Sequence, residues 1–188
     1  MRPTGREAEE DPKVAPLRPI DRISWRTTVP TAHHELLEDS IDIDASAERV
    51  WTLVSDPRRL AQWSPQVVSV RLREGSDHVG LGAEFTNLNR EGELTWTTHG
   101  TIVRFDDQRE LAFRIAENWA VWSFLVEALD SDHTRLVQQR RTPEGISPYS
   151  RELTENYLGG QEAFTTVLRT GMRRTLERIK SAAEEALH

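Results

Sequence analysis

The chain has 188 residues, 37% of them hydrophobic, 29% charged and 7% aromatic, with a formal net charge of −7 and no cysteine. That length suits one domain whose core needs no covalent or metal staple, and the lack of cysteine excludes disulfides, thiolate metal sites and cysteine nucleophiles. The acidic balance disfavours nucleic acid as a partner, and the longest apolar run, Trp119 to Trp122, is far too short to span a bilayer.

The N-terminus shows no signal-peptide stretch, so a soluble, cytoplasmic protein is expected. Lys13 and Lys180 are the only lysines, an arginine bias of the kind a GC-rich bacterial genome produces. Six of the aromatic residues are tryptophan, which calls for either a bulky core or a lined pocket.

Residues 1–38 hold five of the nine prolines and keep no period of 2 or 3.6. They are expected to form a disordered or extended tail, with Met1 to Pro19 unstructured and Ile20, Ile23, Trp25 and Val29 available as an arm. The folded domain is expected over residues 39–188. Ser40 to Ala45 alternates like a strand, with Ile41 and Ile43 on one face. Ser46 reads as the cap of a short helix carrying Val50, Trp51, Leu53 and Val54, and Pro57 opens a second helix through Leu60 to Trp63.

Six strand-like segments follow. Val68, Val70 and Leu72 share a face in the first, and Ala83 to Asn89 forms the second. In the third, Leu94, Trp96, Thr98 and Ile102 share one parity and His99, Val103 and Phe105 the other. Leu111, Phe113 and Ile115 mark the fourth, Trp122, Phe124 and Val126 the fifth, and Thr134 to Thr142 the sixth. The spacings are too short for crossover helices, so the sheet must be antiparallel. Residues 143–158 are polar and partly helical. From about Gln161 the period is 3.6, with Phe164, Leu168, Met172, Leu176 and Ile179 on one face.

This order of elements defines an α+β fold: a curved antiparallel β-sheet gripping a long C-terminal α-helix, with two short helices after the first strand. Residues Ile41 to Trp51, Val54 to Pro57, Trp63 to Pro65, Gly82, Gly100 to Val103, Leu111 to Phe113 and Thr134 to Leu136 together resemble the SRPBCC, or START-like, superfamily of birch-allergen-like helix-grip fold. The resemblance is to its polyketide cyclase/dehydrase branch and covers about residues 39–187. It implies a ligand cavity between sheet and helix, and it spans binding proteins, lipid carriers and cyclases alike.

The ligand-binding candidates are Trp51, Trp63, Phe85, Asn87, Trp96, Thr98, Phe113, Trp122, Phe124, Gln138, Phe164, Leu168 and Met172. Trp51 and Trp63 bracket the short helices, either as a gate or as packing anchors. Of the mid-strand polar groups, Asn87, Thr98, Arg114, Gln138 and Arg140 would orient a ligand wherever they point inward. His99 and Arg114 are the candidates for catalysis, but strand alternation puts His99 opposite Trp96, toward solvent. His33, His34 and Glu35 lack a zincin spacing, and Asp130, Ser131 and Asp132 suit a hairpin turn, so no metal is expected. Arg169, Arg173, Arg174, Arg178 and Lys180 read as a solvated helix face. No cofactor is expected, and the partner is a small hydrophobic, lipid-, polyketide- or aromatic-like ligand, bound by a monomer or homodimer. An aromatase/cyclase and a regulatory interaction protein are the alternatives.

Overall fold

The computed structural model describes residues 35–75 and 78–185. Seven strands form one antiparallel sheet: β1 (Leu36–Ile43), β2 (Val67–Leu72), β3 (Glu84–Glu91), β4 (Leu94–Asp106), β5 (Glu110–Ile115), β6 (Val121–Ala128) and β7 (Thr134–Arg141), in the spatial order β1-β7-β6-β5-β4-β3-β2. Between β1 and β2 come α1 (Ala47–Val54), a 3-10 turn (Pro57–Arg59) and α2 (Leu60–Trp63). After β7 come α3 (Pro148–Tyr157) and the long α4 (Gly160–Glu184). No helix among the described residues is long and apolar enough to cross a membrane. The expected features at Met1 to Pro19, the arm at Ile20 to Val29, and His33 and His34 lie outside the described residues.

β1 begins at Leu36, so residues 36–38 belong to the sheet and not to the tail. The polar residues Glu38 and Asp39 hide the alternation from sequence, yet Leu37 is fully buried opposite Arg140 of β7. Ser46 caps α1 by accepting the Arg49 amide, and that helix buries Val50, Trp51, Leu53 and Val54. Helix α4 lays Leu168, Met172, Leu176, Ile179 and Ala183 onto the concave face, the spacing of a single helical stripe.

The basic residues of α4 are not simply solvated. Arg173 pairs with Asp39 of β1, Lys180 Nζ donates to the Asp42 carbonyl at 2.8 Å, and an Arg178 guanidinium nitrogen donates to the Trp63 carbonyl at 3.2 Å. These contacts hold the helix along β1 and α2.

Two bulges reset strand parity. One lies between Ile102 and Arg104 in β4, and beyond it Phe105 turns inward, edge-on to Trp51 with ring centroids 5.5 Å apart. Alternation alone put Phe105 with His99 on the outside; the extra residue of the bulge inverts the face. The other lies between Val67 and Ser69. Val67, Val70 and Leu72 pack on the core there, while Val68, expected to share their face, is 42% exposed.

Gly100 shows why one inward position must stay bare. A Cβ there would penetrate the ring of Phe85, its partner across β3 and β4. Phe85 in turn meets Phe113 edge-on at 5.4 Å, so the glycine makes room for two large rings to pack edge to face within the sheet's concavity.

Candidate ligand cavity

The inward side chains divide the sheet into two halves. Toward α1 and the C-terminal half of α4 they are large and apolar: Phe85, Ile102, Leu111, Phe124 and Leu136, all at most 1% exposed. Toward α3 and the N-terminal half of α4 they are smaller or polar: Asn87 and Asn89 on β3, Thr98 on β4, Gln138 and Arg140 on β7. The polar half cannot fill the space beneath the helices. What remains is a cavity of about 130 Å³, with Trp96, Phe113, Ile115, Trp122, Phe164 and Leu168 among its apolar walls. Leu60 and Ser64 close it from α2, and Ser150, Leu153, Thr154 and Leu158 close it from α3.

Thr98 orders the β3 amides. Its hydroxyl oxygen accepts from Asn89 Nδ2 at 3.0 Å and from Asn87 Nδ2 at 3.4 Å. That leaves the Asn87 Oδ1 buried without a partner, and the Gln138 Oε1 is in the same condition. Arg140 is 5% exposed, and burial pushes its guanidinium down to about 10; it keeps its proton at neutral pH. No aspartate, glutamate, histidine, lysine or tyrosine lines the cavity among the described residues.

Residues 34–184 match the family described as polyketide cyclase/dehydrase and lipid transport. The chain belongs to that family. No curated protein matches the sequence. Among solved structures, the family fold recurs in the Zhui aromatase/cyclase from a Streptomyces species, 17% identical, with a TM-score of 0.62 over 81% of this chain and 95% of that one. It recurs in the XoxI protein of Bacillus cereus, 17% identical, TM-score 0.61, covering 82% and 99%. A polyketide-cyclase-like protein of Corynebacterium glutamicum is 26% identical, TM-score 0.54, covering 81% and 93%.

In this polyketide cyclase/dehydrase-family domain, eight of the thirteen ligand-binding candidates come together on the cavity, Asn87, Trp96, Thr98, Phe113, Trp122, Gln138, Phe164 and Leu168, and the mid-strand candidate Arg140 joins them. Five do not line it. Phe85 and Phe124 are core. Trp51 packs on Phe105, and Met172 sits with Leu37 and Leu168 behind the wall. Trp63 is buried, with its Nε1–H donating to the Leu53 carbonyl at 2.9 Å and the Arg59 guanidinium 5.1 Å over its ring, the arrangement of a packing anchor.

His99 and Arg114 lie on the other face of the sheet. His99 Nδ1 meets Glu117 Oε1 at 2.5 Å, and the same carboxylate accepts the His99 amide. Arg114 donates to Glu144 at 3.1 Å. Neither reaches the cavity. Asp130, for its part, accepts the backbone amides of Asp132 and His133 at 2.9 and 2.8 Å, the local bonding of a tight turn. Among the lining residues that sequence reasoning passed over, Asn89 was signalled by its parity with Asn87. The α3 residues carried no such signal, because their segment has no apolar period.

Proposed function

We propose that this domain binds a small hydrophobic molecule in the cavity between the sheet and helices α3 and α4. The observation that carries the reading is the cavity itself: aromatic walls from β4, β5, β6 and α4 around a space that the polar sheet positions leave unfilled. An apolar void of about 150 Å³ is known to accept benzene, so about 130 Å³ suits a single ring or a short branched chain. Burying one ring removes about 150 Å² from water, worth about 4 kcal/mol at about 25 cal/mol per Å². Apolar burial in a space this size therefore supports at best about millimolar affinity, and tighter binding needs a polar anchor.

The second reading, an aromatase/cyclase, draws on the family and on the fold shared with the Zhui aromatase/cyclase. Moving protons on a poly-β-keto chain needs a general acid and base within hydrogen-bond reach. Arg140 is the one ionisable residue on the wall among the described residues, and an arginine that stays protonated is a poor base. Binding is accordingly the favoured role. The residues from Leu36 onward form the functional domain in this reading, with the preceding segment as an appendage. A cytoplasmic setting, a monomer or homodimer, and no nucleic-acid partner complete it, the last supported by the net charge of −7.

The test is mass spectrometry of the purified protein under native and denaturing conditions, followed by titration with single-ring aromatics monitored through Trp96 and Trp122 emission. Saturable one-to-one binding is expected. If no member of the panel changes emission or melting temperature, the reading fails.

A further inference from the structure

Among the described residues Arg140 is the one buried arginine on a strand; the others are exposed or half-buried, and three of them pair with carboxylates. Arg104 pairs with Glu110, Arg114 with Glu144 and Arg135 with Asp42. Each of these is on the outer face or an edge and finds a carboxylate. Arg140 points the other way, into the cavity, and is the most buried of them, yet no hydrogen bond or ion pair reaches its guanidinium from any described residue. A desolvated charge without a counterion is unfavourable. Buried arginines are ordinarily matched by an acid, and here none is supplied from within.

Two more groups on the same walls lack partners. Gln138 is two residues from Arg140 on β7 and shares its inward face, and its Oε1 accepts nothing. Asn87 Oδ1, held in place because Thr98 engages the other end of the amide, accepts nothing either. The cavity thus presents a fork of cationic donors beside two empty acceptors, within walls made by the rings of Trp96, Phe113, Trp122 and Phe164. Each of these features specifies part of a complementary molecule. The fork specifies an oxyanion, which a planar guanidinium binds bidentately. The acceptors specify O–H or N–H donors, and the walls and volume specify one aromatic ring.

We propose that the ligand of this cavity is a hydroxylated aromatic acid about one ring in size, its oxyanion on Arg140 and its hydroxyl donating to Asn87 or Gln138. This rests on the cavity being a ligand site, as argued above, and adds the chemical class. A carboxylate and a phosphate ester share the oxyanion chemistry; the volume favours the smaller carboxylate.

Calorimetric titration at neutral pH separates these ideas with five probes: 4-hydroxybenzoate, benzoate, 4-hydroxybenzamide, toluene and phenyl phosphate. In the unaltered protein, 4-hydroxybenzoate should bind about tenfold or more tightly than its neutral amide, the margin of a hydrogen bond to a charged group. In Arg140→Met that preference should vanish while toluene still binds, and Arg140→Lys should keep part of it. If toluene and the amide bind and the acids gain nothing over them, the oxyanion subsite is wrong and the cavity reading stands. If no probe binds, both fall. If phenyl phosphate outbinds both carboxylates, the choice of carboxylate is overturned. The comparison of acid with amide is made in the unaltered protein, so it does not depend on any variant folding.

Discussion

Replacing Arg140 by methionine keeps most of the side-chain length and removes the charge, and the empty protein should become more stable as a result. The guanidinium is held at about 10 with burial as its only cause, roughly two to three pH units below an ordinary arginine. At about 1.4 kcal/mol per unit, the fold carries about 3 kcal/mol of unfavourable charge burial, an upper bound because a substituted site also relaxes. Replacing buried charges by apolar side chains has been worth about 1–4 kcal/mol elsewhere. For a chain of this size about 1–3 kcal/mol raises the melting temperature by about 2–10 °C.

The pH dependence has a definite sign. The folded state releases the Arg140 proton at a lower pH than the unfolded chain does, so the unfolded chain holds more protons only above about 10. Below that the penalty is constant, and the gap between the two proteins should be flat through the neutral range and narrow in strong alkali. The assay is differential scanning calorimetry on protein stripped of ligand by unfolding and refolding. A methionine variant that melts at or below the parent temperature would show that Arg140 already has a stabilising partner, and the reasoning about an empty oxyanion site would lose its basis.

Three further outcomes are expected. Gly100→Ala should destabilise the domain by about 1–3 kcal/mol through overpacking against Phe85, read by chemical denaturation, and titration should find weaker ligand binding, because Phe85 packs edge-on against the cavity-lining Phe113. Trp63→Phe loses the hydrogen bond to the Leu53 carbonyl and should cost about 1–3 kcal/mol with ligand affinity intact; a parallel loss of affinity would restore the gate reading of that residue. The Asp130 carboxylate beside His133 holds the imidazole above its ordinary value. That stabilisation is complete below the ordinary histidine range and is lost as pH rises through the elevated value, so an NMR titration of His133 should show its midpoint falling in Asp130→Asn.

Periodicity in the sequence is enough to place α4 and to sort the residues of most strands into two faces, because a half-buried element repeats its apolar residues at its own pitch; which face turns inward is set by the fold. Thr98 and Ile102 illustrate this on β4, and Asn87 on β3. The same logic misplaces Phe105 and Val68, where a bulge adds one residue and no sequence pattern announces it. It also groups Phe85 and Phe124 with Phe113 and Trp122. Alternation reports the face of a sheet but not the position along it, and here only one end of the inner face is left unfilled. Arg140 is legible from sequence as a mid-strand polar residue that would orient a ligand if it pointed inward; that it does so is seen only in the structure. Its lack of a partner is not legible either, since that depends on which carboxylates the curved sheet brings near. Helix α3 is the least legible wall: Leu153, Thr154 and Leu158 sit in a polar segment whose apolar residues are too few to show a stripe.

Helix α3 runs from the Ser147 cap to the left-handed pair Gly159 and Gly160, and Thr154 is its one buried residue. Leu153 and Leu158 are half-buried and face the cavity, but the sheet does not lean on them. Exchanging them for larger or smaller side chains alters the room available to a ligand at little cost to the fold. Arg140, Gln138 and Asn87 are different, since each sits in a strand hydrogen-bonded on both sides. Size selection and charge recognition are therefore written on separate elements. A lineage that drifts at α3 can retune which molecules fit while continuing to demand the same functional group of all of them.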